Sequence, residues 1–112
     1  MPFRLVARRV RPGKSERLRE WARVVHSRRR ESEATLRDEG VLTEVTWILP
    51  TANGDLFVGV VDEEDRERSR ETYEASLDTG KHPIDREHEE VMKECLGERL
   101  GEGELLYALS GR

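Results

Sequence analysis

The sequence predicts an α+β sandwich, with one four-stranded antiparallel sheet carrying its helices on a single face. Three observations point there. The predicted elements run strand, helix, strand, strand, two helices, strand, which is the split βαβ order. The two middle strands are joined by Pro50-Thr51-Ala52-Asn53-Gly54-Asp55, whose Asn-Gly pair signals a hairpin. At 112 residues the chain can enclose one core but not two, so residues 1–112 are expected to form a single domain.

The first strand covers Phe3 to Arg11 and stops at the turn pair Pro12-Gly13. Phe3, Leu5 and Ala7 lie on one face, and Val6 and Val10 with Arg4 and Arg8 on the other. A helix from Ser15 to Glu39 follows, capped by Ser15 and stopped by Gly40. Its apolar stripe is Leu18, Trp21, Ala22, Val25 and Leu36. Between Val25 and Leu36 that stripe is interrupted by Arg29 and Ser32, with Arg28 at its edge.

Val41 to Leu49 and Leu56 to Val61 read as the hairpin strands, and both are apolar on both faces. A sheet with one wet face would alternate with charged residues, and these strands do not. A charged helix then starts at Asp62–Asp65 and ends near Asp78-Thr79-Gly80, with only Tyr73, Ala75 and Leu77 to bury. Pro83 and Asp85 open the next helix, which runs to about Leu96 with Ile84, His88, Val91, Met92 and Cys95 on one side. Gly97, Gly101 and Gly103 read as chain breaks, and Glu104 to Leu109 as the last strand. The order is that of a ferredoxin-like fold. Its helices cover one face of the sheet, while the strands are apolar on the other as well. Packing that second face against a second subunit resolves this, covering roughly 600–900 Å² on each.

Composition bounds the function. Charged residues make up 39% and apolar residues 35%, so the core is thin. Net charge is −4 with both signs mixed along the chain, which lacks the continuous basic face that nucleic acid requires. One cysteine rules out an intramolecular disulfide and fits a reducing compartment. There is no apolar run of membrane-spanning length and no signal-peptide core, so the expected location is cytoplasmic.

Candidate site residues come from the two helical stripes. His88 points inward among apolar neighbours, either as a core-edge imidazole with a polar partner or as a ligand or acid/base group. Arg29 and Ser32 fill the gap in the first stripe. Arg29 either snorkels out to a carboxylate or lines a pocket for an anionic or carbonyl ligand. Trp21 and Trp47 are core or interface aromatics that could also wall a pocket. His82, Asp85 and His88 include metal-ligand types, yet positions six apart on a helix face different ways, so no metal is expected. Cys95, two turns from His88, reads as a small buried hydrophobe rather than a nucleophile.

Pro12-Gly13-Lys14, Trp21, Arg28-Arg29, Leu36-Arg37-Asp38-Glu39-Gly40-Val41, His82-Pro83-Ile84-Asp85, His88 and Cys95 together resemble an uncharacterised family of small ferredoxin-like proteins in the dimeric α/β-barrel group. The resemblance spans nearly the whole chain and implies the fold and a homodimer. The wider group includes small monooxygenases acting on quinol-like substrates, haem-handling enzymes and plain ligand-binding domains. None of their catalytic motifs can be matched here. Two functions therefore stand at the level of sequence. One is a dimeric domain binding a small anionic or aromatic ligand between helices and sheet. The other is an oxidative enzyme, cofactor-free or haem-dependent, in which His88 and Arg29 polarise an aromatic substrate. No cofactor is predicted, haem and metal remain open, and catalysis itself is undecided.

Overall fold

The structure, a computed structural model, describes residues 3–112. The elements are β1 (Phe3–Val10), α1 (Ser15–Ser27), α2 (Arg29–Glu39), β2 (Val41–Thr51), β3 (Gly54–Glu63), α3 (Arg66–Thr79), α4 (Pro83–Cys95) and β4 (Leu96–Glu102). The strands form one antiparallel sheet in the order β2-β3-β1-β4, so the ferredoxin-like split βαβ sandwich expected from the sequence is the fold.

The single helix expected from Ser15 to Glu39 is two helices. Arg28 leaves helical geometry at φ −117° and ψ 42°. The break falls where the apolar stripe lapses into Arg28-Arg29-Arg30-Glu31-Ser32-Glu33, because packing of an apolar face holds a helix in place more than propensity does. Local groups then satisfy the freed carbonyls. The Ser27 hydroxyl donates to the Val24 carbonyl at 2.7 Å. The Ser32 hydroxyl lies 3.2 Å from the Val25 carbonyl and 3.0 Å from that of Arg28. Gly40 ends α2 at φ 73°, the left-handed cap that glycine adopts without strain.

The third helix starts at Arg66 rather than at Asp62, since Asp62 and Glu63 extend β3. Asp65 is its cap, accepting from the Arg68 N–H at 3.1 Å. In α4, Pro83 occupies the first turn as expected, and the helix passes straight into β4 at Leu96.

The last strand is therefore not Glu104–Leu109 but Leu96–Glu102. The glycines that read as breaks lie within or just after it. Pairing with β1 shifts register between Ala7 and Arg8 and again between Arg8 and Val10. Gly101, at φ 147°, takes a conformation closed to other residues at one of these bulges. Residues 104–112 have no regular secondary structure.

The core lies between α1, α4 and the sheet. Leu18, Trp21, Ile84, Val91, Cys95 and Leu96 are buried, with Val10, Ile48, Phe57 and Met92 packed against them. Phe57 pairs with Arg8 and Ile48, Gly59 with Val6 and Thr46, and Val61 with Arg4 and Glu44. These rows form the inner face of the sheet, since directly opposed residues share a face. The outer face carries Leu5–Val60–Val45, Ala7–Val58–Trp47 and Arg9–Leu56–Leu49. No helix covers it. The outer face is thus apolar without a helix over it, as the sequence predicts, while the inner face mixes apolar residues with Arg4, Arg8, Glu44 and Thr46. Among the described residues, no helix is long and apolar enough to cross a membrane.

Candidate functional site

The inward stripe of α4 is as the sequence predicts. Ile84, Val91 and Cys95 are buried, and His88 lies half-buried among them. Trp21 of α1 is on one side of the imidazole, with ring centroids 6.1 Å apart and planes inclined at 49°. Tyr73 of α3 meets it edge-on at 5.9 Å. Three helices thus converge on one histidine.

Proton counting fixes the chemistry of this cluster. The Tyr73 hydroxyl lies 2.8 Å from Glu89 Oε2 and 2.9 Å from His88 Nδ1. A phenol has one proton, and an ionised carboxylate is its stronger acceptor. Tyr73 therefore donates to Glu89, and His88 Nδ1 carries a proton that it donates to the Tyr73 oxygen. In the neutral ring this leaves Nε2 with its lone pair free, and Nε2 has no hydrogen-bond partner among the described residues. Burial, the hydrogen bond to Glu89 and the nearby carboxylates push the Tyr73 hydroxyl far above its ordinary range, so it stays protonated.

A second polar cluster lies deeper. Asp85, 3% exposed, accepts from the Thr35 hydroxyl at 2.7 Å and the Ser76 hydroxyl at 2.6 Å. Thr35 Oγ1 also lies 3.0 Å from Glu39 Oε2, and Glu39 is 8% exposed. One hydroxyl proton cannot serve two carboxylates. The shorter contact takes it, and the Glu39 contact is completed by a proton on Glu39 itself. Burial, together with the charges of Asp85, Glu44 and Glu63, pushes Glu39 up to about 7, against the lowering that the Thr35 hydroxyl would exert if it donated to Glu39 instead of Asp85.

The other candidates fall elsewhere. Arg29 is exposed and pairs with Glu33 one turn along its own helix at 3.2 Å, so it lines no site with His88. Its neighbour Arg28 reaches inward, bridging Glu31 and Glu87 and tying the α1–α2 junction to α4. Glu31 in turn accepts the Ile84 N–H at 3.0 Å, capping α4 from outside. Ser32 closes the helix break. Trp47 is on the outer sheet face, 52% exposed and on the opposite side from His88.

His82 lies 2.7 Å from Asp38, while Asp85 and His88 have the separate partners described above, so the three do not form a ligand set. Among the described residues no three metal-ligating side chains converge. Cys95 is fully buried and its thiol is pushed up by desolvation, which makes it an inert core residue.

Sequence reasoning missed Thr35, Glu39, Tyr73 and Ser76. Tyr73 carried a legible signal, as one of the few apolar residues of a charged helix. The other three are polar residues on polar helices, with nothing in the sequence to distinguish them from a solvated surface.

The floor opposite the helices is uneven. At one end Phe57 and Ile48 fill the core. In the middle the row Val6–Gly59–Thr46 is small, and a Cβ at Gly59 would meet only ordinary contacts, Phe57 and Thr46 at 3.8 Å. Glu44 and Thr46 remain exposed, so the helical layer leaves this part of β2 uncovered.

Solved structures of the same fold include one described as tetracenomycin F2 cyclase from Streptomyces glaucescens, a type-II polyketide cyclase. It matches over 100% of both chains with a TM-score of 0.59 and 19% identity, a likeness of fold. No curated protein matches the sequence significantly. A family model matches residues 1–110, and the chain accordingly belongs to a family of unknown function, DUF6176.

Proposed function

We propose that the protein is a homodimeric binding domain for a small hydroxylated aromatic ligand, held between the helical layer and the inner face of the sheet. The observation that carries this is the Tyr73–His88–Glu89 chain beside Trp21. It offers an imidazole lone pair to a ligand hydroxyl, backed by the buried Trp21 indole, while the inner face of the sheet is kept low at Gly59. The anionic ligand entertained from the sequence loses its cation, because Arg29 is on the surface, while Glu39, Glu89 and Asp85 make the surroundings acidic. A neutral phenol or naphthol fits better. The fold likeness to a polyketide cyclase supports the same ligand class. The homodimer follows from the bare apolar outer face of the sheet.

A catalytic reading uses the same site. His88, held by Tyr73 in the tautomer with Nε2 free, would take a proton from an acidic C–H or O–H of the bound ligand. The oxidative alternative shares the ligand site and differs in consuming oxygen.

Trp21 is a built-in reporter. In a Trp47→Phe background, titration with a panel of phenols, naphthols and hydroxyanthraquinones is expected to quench Trp21 emission saturably. His88→Phe removes the acceptor, and Gly59→Val raises the floor at a site where a Cβ meets only ordinary contacts. Both should weaken binding at least tenfold while the melting temperature is kept. Absence of saturable quenching across the panel, or binding indifferent to both substitutions, overturns the proposal. Oxygen uptake with the bound ligand would select the oxidative reading.

A further inference from the structure

The core takes side chains from α1, α4 and all four strands, and none from α2. The residues that α2 buries are Thr35 and Glu39, both polar, while Ala34 and Leu36 stay half-buried. Its ties to the rest of the helical layer run through polar side chains. Glu31 accepts the Ile84 N–H, Thr35 donates to Asp85, and Asp38 holds Lys81 at 2.8 Å and His82 at 2.7 Å. A segment with so little apolar burial opens at a free energy below that of the whole domain.

Both ends of α2 can turn. At Arg28 the chain already leaves helical geometry, and the guanidinium, bridged to Glu87, pins this pivot to α4. At Gly40, φ 73° lies where glycine rotates without strain. The Gly40 carbonyl accepts the Glu64 N–H at 3.0 Å, which fixes the second pivot to the end of β3. Hinges of this kind, at the ends of an element, absorb the rotation of a closing segment.

We infer that α2 is a hinged lid, shut over Asp85 and Ser76 by polar contacts and opening about Arg28 and Gly40 to widen the mouth of the ligand site. The inference rests on the ligand site proposed above and adds how it is entered. The two adjoin. The Asp85 carbonyl lies 3.4 Å from the Tyr73 hydroxyl that holds His88. Glu44, on the uncovered stretch of β2, is near enough to Glu39 to act on its charge.

The latch is sensitive to charge. Around the Glu39 carboxyl stand Asp85 of α4, Glu44 of β2, Glu63 of β3 and the Tyr73 hydroxyl of α3. The nearby cations are engaged: Arg4 of β1 with Glu63 at 3.0 Å, and Lys81 and His82 with Asp38. Arg68 of α3 lies beside Gly40 together with Glu64. With its proton, Glu39 completes the contact to Thr35. Without it, a buried carboxylate faces Asp85, and swinging α2 out to water relieves both. Shut, Glu39 titrates at about 7, and exposed it returns to 4.5, so the opening constant rises ~70-fold from pH 5 to pH 8.

The test has two parts. Hydrogen exchange of the ligand-free protein at pH 5 and pH 8, corrected for intrinsic rates, reads the lid itself. Amides of residues 32–39 should exchange ahead of those of α1 and α4. Their protection should fall at least 20-fold between the two pH values, and Glu39→Gln should cut that fall below threefold. Equal protection across α1, α2 and α4, or a fall that survives Glu39→Gln, overturns the lid. Access is read with 2-naphthol in the Trp47→Phe background. Thr35 and Ser76 share one acceptor oxygen and are close to cysteine in size, so Thr35→Cys with Ser76→Cys can be oxidised to lock α2 onto α3. The native Cys95 is fully buried and stays out of the reaction. Stopped-flow quenching of Trp21 should show association at least tenfold slower in the oxidised protein than after reduction. Equal rates overturn α2 as the entrance. Naphthol that binds neither form counts against the ligand reading, and the exchange data then decide the lid by themselves.

Discussion

Replacing Glu39 by glutamine should make the protein more stable at alkaline pH, although it removes a hydrogen-bonded acidic side chain. The carboxyl ends α2 almost fully buried, 3.0 Å from a hydroxyl whose single proton is directed to Asp85. Burial is the largest cause of its raised pKa, followed among the raising influences by Asp85, Glu44 and Glu63, and the shift runs from 4.5 to about 7. The folded state thus holds this proton more tightly than the unfolded chain does. Its stabilising contribution is complete below pH 4.5 and is lost as pH rises through about 7. At 1.36 kcal/mol per pH unit, the gap between 4.5 and about 7 amounts to about 3 kcal/mol of stability lost by pH 8. Glutamine has nearly the same shape, carries no charge and can donate its amide N–H to Thr35 as the protonated acid does. Urea unfolding of both proteins from pH 5 to 8.5 reads the difference directly, since every other titrating group is common to both. The variant should lie within about 0.5 kcal/mol of the parent at pH 5 and exceed it by about 2–3 kcal/mol at pH 8. Equal pH slopes, or a variant less stable at pH 8, would show that Glu39 is ionised in the fold and that the proton assignment at Thr35 is wrong.

Other substitutions test the remaining contacts. Trp21→Ala should cost about 3–5 kcal/mol in denaturant unfolding, the range for a large aromatic removed from a core. Tyr73→Phe leaves His88 Nδ1 and Glu89 without their shared partner and should cost about 1–3 kcal/mol, while also shifting the His88 ring resonances in NMR spectra. Arg28→Ala breaks the link among Glu31, Glu87 and the α1–α2 junction and should lower stability by about 1 kcal/mol. Arg29→Ala, next in sequence, should change stability by less than about 0.5 kcal/mol, because its ion pair with Glu33 is exposed. Equal losses at the two arginines would contradict the inward bridge of Arg28 and the surface position of Arg29.

Local pattern was enough for the split βαβ order, the hairpin at Asn53-Gly54, the Gly40 stop, the burial of Trp21 and the inward face of α4 at His88. Each depends on local chemistry or on a period of two or nearly four residues, which a linear chain displays directly. The same reasoning saw that the outer face of the sheet is apolar, since alternation shows which faces are apolar without showing what covers them. It stumbled where local signals compete with packing. Gly97 and Gly101 lie inside β4 because a bulge against β1 makes use of the glycine conformation. The helix breaks at Arg28 because the apolar stripe lapses and Arg28 finds Glu87 on α4, fifty-nine residues along the chain.

The site was half legible for the same reason. His88 stood out as a polar residue in an apolar stripe. Its partners Tyr73 and Glu89, and the proton-bearing Glu39 with Thr35, Asp85 and Ser76, belong to three helices whose meeting is not written in any one of them. The sequence left Arg29 either snorkelling out to a carboxylate or lining a pocket, with Arg28 at the edge of the stripe, and a step of one residue turns a helical side chain by about 100°. Only the tertiary structure, with the helix broken at that point, decided which arginine faces inward. A carboxyl group's protonation likewise depends on burial and on neighbouring charge. Both are properties of the folded surroundings, which bring distant residues within a few ångströms of one another.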